Sequence, residues 1–152
     1  MALYRDQGIV LRTYKLGEAD RIVSIITERH GKVRAVAKGV RKTKSKFGAR
    51  LEPTSHVALQ LYEGRELDIV TQAESVDHFK AIREDLDRIS HAVTMLEATD
   101  QLSLEREPNP DLYRRRLGAL RAVDTRSSAL VVAGFHWKVL ALEGFRPQVE
   151  SC

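Results

Sequence analysis

The chain has 152 residues, 43% hydrophobic and 30% charged, the ordinary composition of a soluble globular protein. Its longest apolar stretch, Ala129 to Phe135, is far short of the ~20 residues of a membrane span, and Arg5 and Asp6 interrupt any secretory leader. The net charge of +4 conceals segregation: residues 1–50 hold 13 Lys/Arg against 4 Asp/Glu, residues 51–109 hold 5 against 13, and residues 110–152 hold 7 against 4, so one end suits a polyanion.

The first ~78 residues carry strand patterns. Ile9, Leu11 and Thr13 alternate with Val10, Arg12 and Tyr14. Arg21 to Thr27 is a second strand rich in β-branched residues, turning at His30-Gly31. Lys32 to Lys38 places Val33, Ala35 and Ala37 on an apolar face, with Lys32, Arg34, Val36 and Lys38 opposite. Val57, Leu59 and Leu61 define a fourth strand, and Leu67, Ile69, Thr71 and Ala73 a fifth, with Glu63-Gly64-Arg65 turning between them. Five short antiparallel strands suit a small closed barrel, of which the OB-fold is the commonest; the pattern leaves an SH3-like barrel open.

From Asp77 the period lengthens to about 3.6. Ile82, Leu86, Ile89, Val93 and Leu96 form one helical stripe, extended by Met95, Thr99 and Leu102. Pro108 and Pro110 end it, and Asn109-Pro110-Asp111 starts a second helix that buries Leu112, Leu117, Leu120 and Val123. A third is expected over residues 127–143, stopped by Gly144 and Pro147, with Phe135 and Trp137 in the core. The expected class is α+β: a five-stranded barrel over 1–78 binding nucleic acid, then an all-α helical domain over 79–152 that is C-terminally incomplete.

The stretch Lys38 to Arg50 carries six cations (Lys38, Arg41, Lys42, Lys44, Lys46, Arg50), no acid, and Phe47 between them. Between the third and fourth strands it predicts a cationic arm. Its side chains would neutralise phosphates and release counterions, Phe47 would stack on a base, and Lys32, Arg34 and Lys38 would extend the track. Tyr4, Tyr14 and Tyr62 are further stacking candidates, but each also suits a barrel wall, and Phe47 ranks first. The alternative for the arm is a solvated surface loop.

Catalytic patterns are not supported. Gly39 and Lys44-Ser45 resemble a P-loop only faintly, because Thr43 stands where the glycine before the lysine must be and the spacing is one residue short. His30, His56, His78, His91 and His136 show no metal-ligand spacing. Glu84, Asp85 and Asp87 read as a solvated helix face. The single cysteine, Cys152, excludes an internal disulfide and fits a reducing cytoplasm.

Gly8-Ile9-Val10-Leu11, Gly17-Glu18-Ala19-Asp20-Arg21-Ile22-Val23, Thr27-Glu28-Arg29-His30-Gly31-Lys32, Ala37-Lys38-Gly39-Val40-Arg41, Ser45-Lys46-Phe47-Gly48 and Leu51-Glu52-Pro53 resemble, in order and spacing, the N-terminal blocks of the RecO family. Gly144-Phe145-Arg146-Pro147 is similar to that family's exit from its helical domain. The resemblance implies a non-enzymatic recombination mediator, cytoplasmic and nucleoid-associated, with an OB-fold and a helical domain. It implies binding of single- and double-stranded DNA, strand annealing, and loading of RecA onto strands coated by single-strand binding protein. The partners implied are RecR, the acidic tail of single-strand binding protein and, in some members, RecF. Many members carry a zinc module after the stretch matching Arg146-Pro147. Cys152 stands where a first zinc ligand would be, but one cysteine makes no tetrahedral site, so zinc is expected only in a longer form. Two other readings stay open on the residues: an RNA-binding OB protein, and a protein-interaction adaptor working through its helical part.

Overall fold

The computed structural model describes residues 2–39, 50–77, 79–102, 107–125 and 134–135. Five strands form its first half: β1 (Leu3–Leu16), β2 (Asp20–Thr27), β3 (Gly31–Ala37), β4 (His56–Tyr62) and β5 (Asp68–Asp77). They close into a barrel in the order β1-β2-β3-β5-β4, with β1 antiparallel to β4. β3 meets β5 in a short parallel seam at Ala35–Asp68 and Val36–Ile69. A strand order that leaves sequence order at β5 and closes through a parallel seam is the Greek-key barrel of the OB-fold. That resolves the choice between barrels.

The interior is filled by β-branched and small residues together with Leu51, Leu59 and Leu61. Val10, Val23, Ile25, Val33, Ala35, Ala37, Val57 and Val70 are all buried there. Register shifts in β1 and β5 alter the expected alternation. Ile9, Val10 and Leu11 are all buried because Val10 faces the interior while Ile9 and Leu11 face the helices. The register shift between Val10 and Arg12 then puts Arg12 on the outer side with Ile9 and Leu11 instead of with Val10. In β5 the register against β4 shifts between Gln60 and Leu61. There Val70 and Ala73 face inward instead of the expected Leu67, Ile69 and Thr71. Thr71 uses its hydroxyl to donate to the Gln60 carbonyl at 3.0 Å.

A second core lies on the outside of the barrel. Ile9, Leu11 and Ile26 pack against Phe79, Ile82, Met95, Leu112, Tyr113, Leu120 and Phe135. Burial of each large side chain contributes about 1.5–3 kcal/mol. Three helices supply the far side: α1 (Lys80–Glu84), α2 (Leu86–Leu102) and α3 (Pro110–Thr125). The expected single stripe from Ile82 to Leu102 is broken at Asp85, whose backbone is extended. Its carboxylate accepts from the Asp87 and Arg88 amides at 2.9 and 3.3 Å, capping a new helix. The restart rotates the stripe. Leu86 and Val93 end up 78% and 37% exposed and Ala92 is buried in their place, while Ile82, Met95 and Leu96 are buried as expected. The second predicted helix is as expected: the Leu112 amide donates to Asn109 Oδ1 at 3.1 Å, and Leu112, Leu117, Leu120 and Val123 are buried. Of the third expected helix only Gly134 and Phe135 are described; they are helical and Phe135 is buried, while Trp137 lies outside the described residues.

Candidate nucleic-acid interface

Barrel register decides which side chains share a surface. Arg12 pairs with Ser24 and Ser24 with Arg34, so two arginines flank β2 in one row across β1, β2 and β3. The next row is Tyr14, Ile22 and Val36. Tyr14 is 45% exposed, Ile22 and Val36 are half-buried, and Arg34 and Lys38 are exposed. The Arg12 guanidinium lies over the Tyr14 ring, 5.5 Å from its centroid, within cation–π range. Lys15 and Leu16 continue the exposed edge of β1. This face therefore offers an aromatic ring, two partly covered aliphatic side chains and cations around them. That combination binds unpaired nucleotides, with bases on the apolar patch and phosphates on the cations.

Lys32, on the same strand face as Arg34, is placed differently. Its side chain is only 15% exposed, and Nζ lies 2.7 Å from Asp100 Oδ1 while donating to the Asp100 carbonyl at 3.0 Å. Asp100 also pairs with Arg12 at 3.3 Å, and this hydrogen bond is the main cause of the upward shift of the Arg12 pKa. Gly39, with φ of +70°, donates its amide to Asp20 Oδ1 at 2.7 Å, tying the exit of β3 to the β1–β2 turn. Beyond it, Arg41, Lys42, Lys44, Lys46 and Phe47 lie outside the described residues, as does Cys152. Arg50, at the far end of that stretch, is exposed.

The two other tyrosines keep different company. Tyr4 is half-buried, donates its hydroxyl to the buried Asp68 and packs on the His30 ring at 4.5 Å. It is a wall residue. Tyr62 is 40% exposed and pairs with Leu3 and Ile69. Through Ile69 and Val36 it stands at the far end of the row that Tyr14 begins, with three strands between the two rings. The opposite wall, where Arg5, Gln60 and Gln72 form one row and Gln7, Ala58 and Glu74 the next, has a shallow hollow of ≈ 430 Å³ with Arg29 and Glu28 at its edge. Its charges are mixed, with Arg5 and Arg29 beside Asp6, Glu28 and Glu74.

Two histidines hold the structure together. His30 Nδ1 lies 2.6 Å from Asp6 Oδ2, and Asp6 also accepts the Gln7 and Arg29 amides. His56, buried in β4, meets the Tyr113 hydroxyl of α3 at 3.0 Å. Burial, and then Arg121, holds the His56 pKa below its usual value, and burial raises that of Tyr113. Among the described residues no three His, Cys, Asp or Glu approach closely enough to share a metal.

The N-terminal family model of recombination protein O matches residues 1–79, and the C-terminal model matches residues 83–152. The chain belongs to the RecO family. That membership, with an OB barrel at the N-terminus, places it among DNA-binding proteins of DNA repair and recombination. Among the described residues no helix is long and apolar enough to cross a membrane. In sequence Arg12 stands out no more than any strand arginine, and Tyr14 ranks below Phe47. Alternation puts Arg12 and Tyr14 on the same face, but only the β1–β2–β3 register shows that this face also carries Arg34.

Proposed function

We propose that this RecO-family chain is a non-enzymatic recombination mediator that lays DNA strands along the outer face of β1, β2 and β3. The observation that carries this reading is the exposed Tyr14 ring, with Arg12 over it and Arg34 one row away across β2. Tyr14, Ile22 and Val36 receive bases. Arg12, Arg34, Lys38 and Arg50 take phosphates, joined by Arg41, Lys42, Lys44 and Lys46, with Phe47 as a second stacking surface. Lys32 serves as an anchor of the barrel to α2 and joins the track only when Asp100 releases it.

Annealing follows from charge. Neutralising two strands at once lowers their repulsion and lets complementary bases meet, which needs no nucleophile or metal. Single- and double-stranded DNA share the phosphate ladder that the cations read. Loading of RecA onto strands coated by single-strand binding protein, and partnership with RecR, RecF and the acidic tail of that protein, belong to the same proposal, as does a cytoplasmic, nucleoid-associated location. We treat residues 1–78 and 79–152 as its two units. Zinc binding is proposed only where further ligands join Cys152, because one cysteine cannot complete a tetrahedral site.

The test is the joint change of Lys42, Lys44 and Lys46 to Ala, titrated against labelled single strands by anisotropy over a salt series. Affinity should fall alike for all sequences. The slope of log K against log salt should flatten by about 2 units, near 0.7 for each lost phosphate contact. Unchanged affinity and slope would remove the arm from the track.

A further inference from the structure

Asp100 stands in the last turn of α2, where the unsatisfied carbonyls of a helix already disfavour an anion. No basic residue of that turn offsets it. The compensation comes from the barrel: its carboxylate meets Lys32 of β3 at 2.7 Å and Arg12 of β1 at 3.3 Å, and its carbonyl receives the Lys32 ammonium. The end of α2 thus presents to the barrel what a phosphate would present, two anionic oxygens and a further acceptor between two cations. Arg12 is the same residue that covers the Tyr14 ring.

We propose that Asp100 is an intramolecular stand-in for a DNA phosphate, an autoinhibitory contact through which α2 occupies one end of the β1–β2–β3 face until a strand displaces it. The proposal rests on reading that face as the DNA track. The Arg12 side chain is 51% exposed, so its pair with Asp100 is screened and weak, and a polyanion can exchange for it. Lys32, more enclosed, follows only when the helix end moves. Strand binding is thereby linked to a shift of α2, and anything that loosens α2 raises affinity for DNA.

The experiment compares Asp100→Asn with Glu97→Gln, using anisotropy titrations of a labelled single strand over a salt series. Glu97 is exposed and acts on Arg12 only through space, so its variant removes the same charge without opening the clamp. Asp100→Asn should bind about 3–10-fold tighter at low salt, with a slope steeper by close to 0.7 for each cation released to phosphate. Glu97→Gln should gain less than half of that. Equal gains would reduce the effect to net charge and overturn the clamp. So would no gain in Asp100→Asn while Arg12→Gln still weakens binding, a result that leaves the DNA face intact. If neither Arg12→Gln nor Tyr14→Ala weakens binding, the DNA face itself is wrong. Should Asp100→Asn unfold, hydrogen exchange on the unmodified protein decides. Added single strand should speed exchange of the 96–102 amides, and unchanged or slower exchange overturns the proposal.

Discussion

Tyr14 and Tyr62 are almost equally exposed, at 45% and 40%, and differ in their neighbours. Tyr14 has Arg12 above it and Arg34 one row away, whereas Tyr62 sits beside Leu3 and Ile69. Base stacking on an aromatic contributes about 1–3 kcal/mol. Tyr14→Ala should therefore weaken single-strand binding about 5- to 100-fold in an anisotropy titration, Tyr14→Phe should keep most of the affinity, and Tyr62→Ala should stay within about twofold. His56 sets a second expectation. Its pKa is depressed in the folded chain, so folding favours the neutral ring, and its stabilising effect is complete above the unfolded value of about 6.5. It is lost as pH falls through the lower folded value. The melting temperature should be level above about pH 7 and decline below about pH 6, and His56→Gln should soften that decline. Sequence marks Tyr14 only as one of three equivalent stacking candidates, and a scattered histidine such as His56 looks like an ordinary packing residue.

At the scale of elements, the strands were legible because alternation and turn residues act locally. Val33, Ala35 and Ala37 point inward as expected. Alternation misleads where one inserted residue reverses it, at the bulges of β1 and β5, and helical periodicity misleads where Asp85 ends one helix by capping the next. A 3.6-residue stripe runs through such a break unnoticed, since Ile82 and Ile89 keep their spacing across it. The candidate site was partly legible for the same reason: alternation shows Arg34 and Lys38 together, but not that Lys32 beside them is held by a helix seventy residues away. The β2–β3 turn gives an element-level test. Gly31 has φ of +71°, and a Cβ there would lie 2.5 Å from the Glu107 amide nitrogen, on the segment leading to α3. Gly31→Ala combines left-handed strain of about 1–2 kcal/mol with a backbone collision, and should lower the melting temperature clearly. Gly118→Ala, within α3 and with nothing inside 4 Å of the new Cβ, should raise stability by up to about 1 kcal/mol.

At the scale of the whole molecule, the barrel has two apolar surfaces and only one of them is inside. Val10 and Ile25 fill the interior, while Ile9, Leu11 and Ile26 turn outward into the core shared with the helices. A β-sheet pattern predicts one buried face and one solvated face. A strand buried on both sides therefore shows that another layer is needed. Charge works alongside this, since the same helical layer that covers Ile9 and Ile26 brings Asp100 to Lys32. The units 1–78 and 79–152 should then fail to behave as independent domains. Leu11→Ala leaves a cavity between them at a cost of about 2–5 kcal/mol. It should lower one cooperative melting transition, followed together by the strand and helix signals of circular dichroism. A fragment of residues 1–78 should expose Ile9, Leu11 and Ile26 as one patch, bind an apolar dye and self-associate in sedimentation. Two separate transitions in the full chain, or a fragment that stays monomeric and dye-free, would show that the barrel is stable without its helical cover. DNA binding at one layer would then have no route to the other.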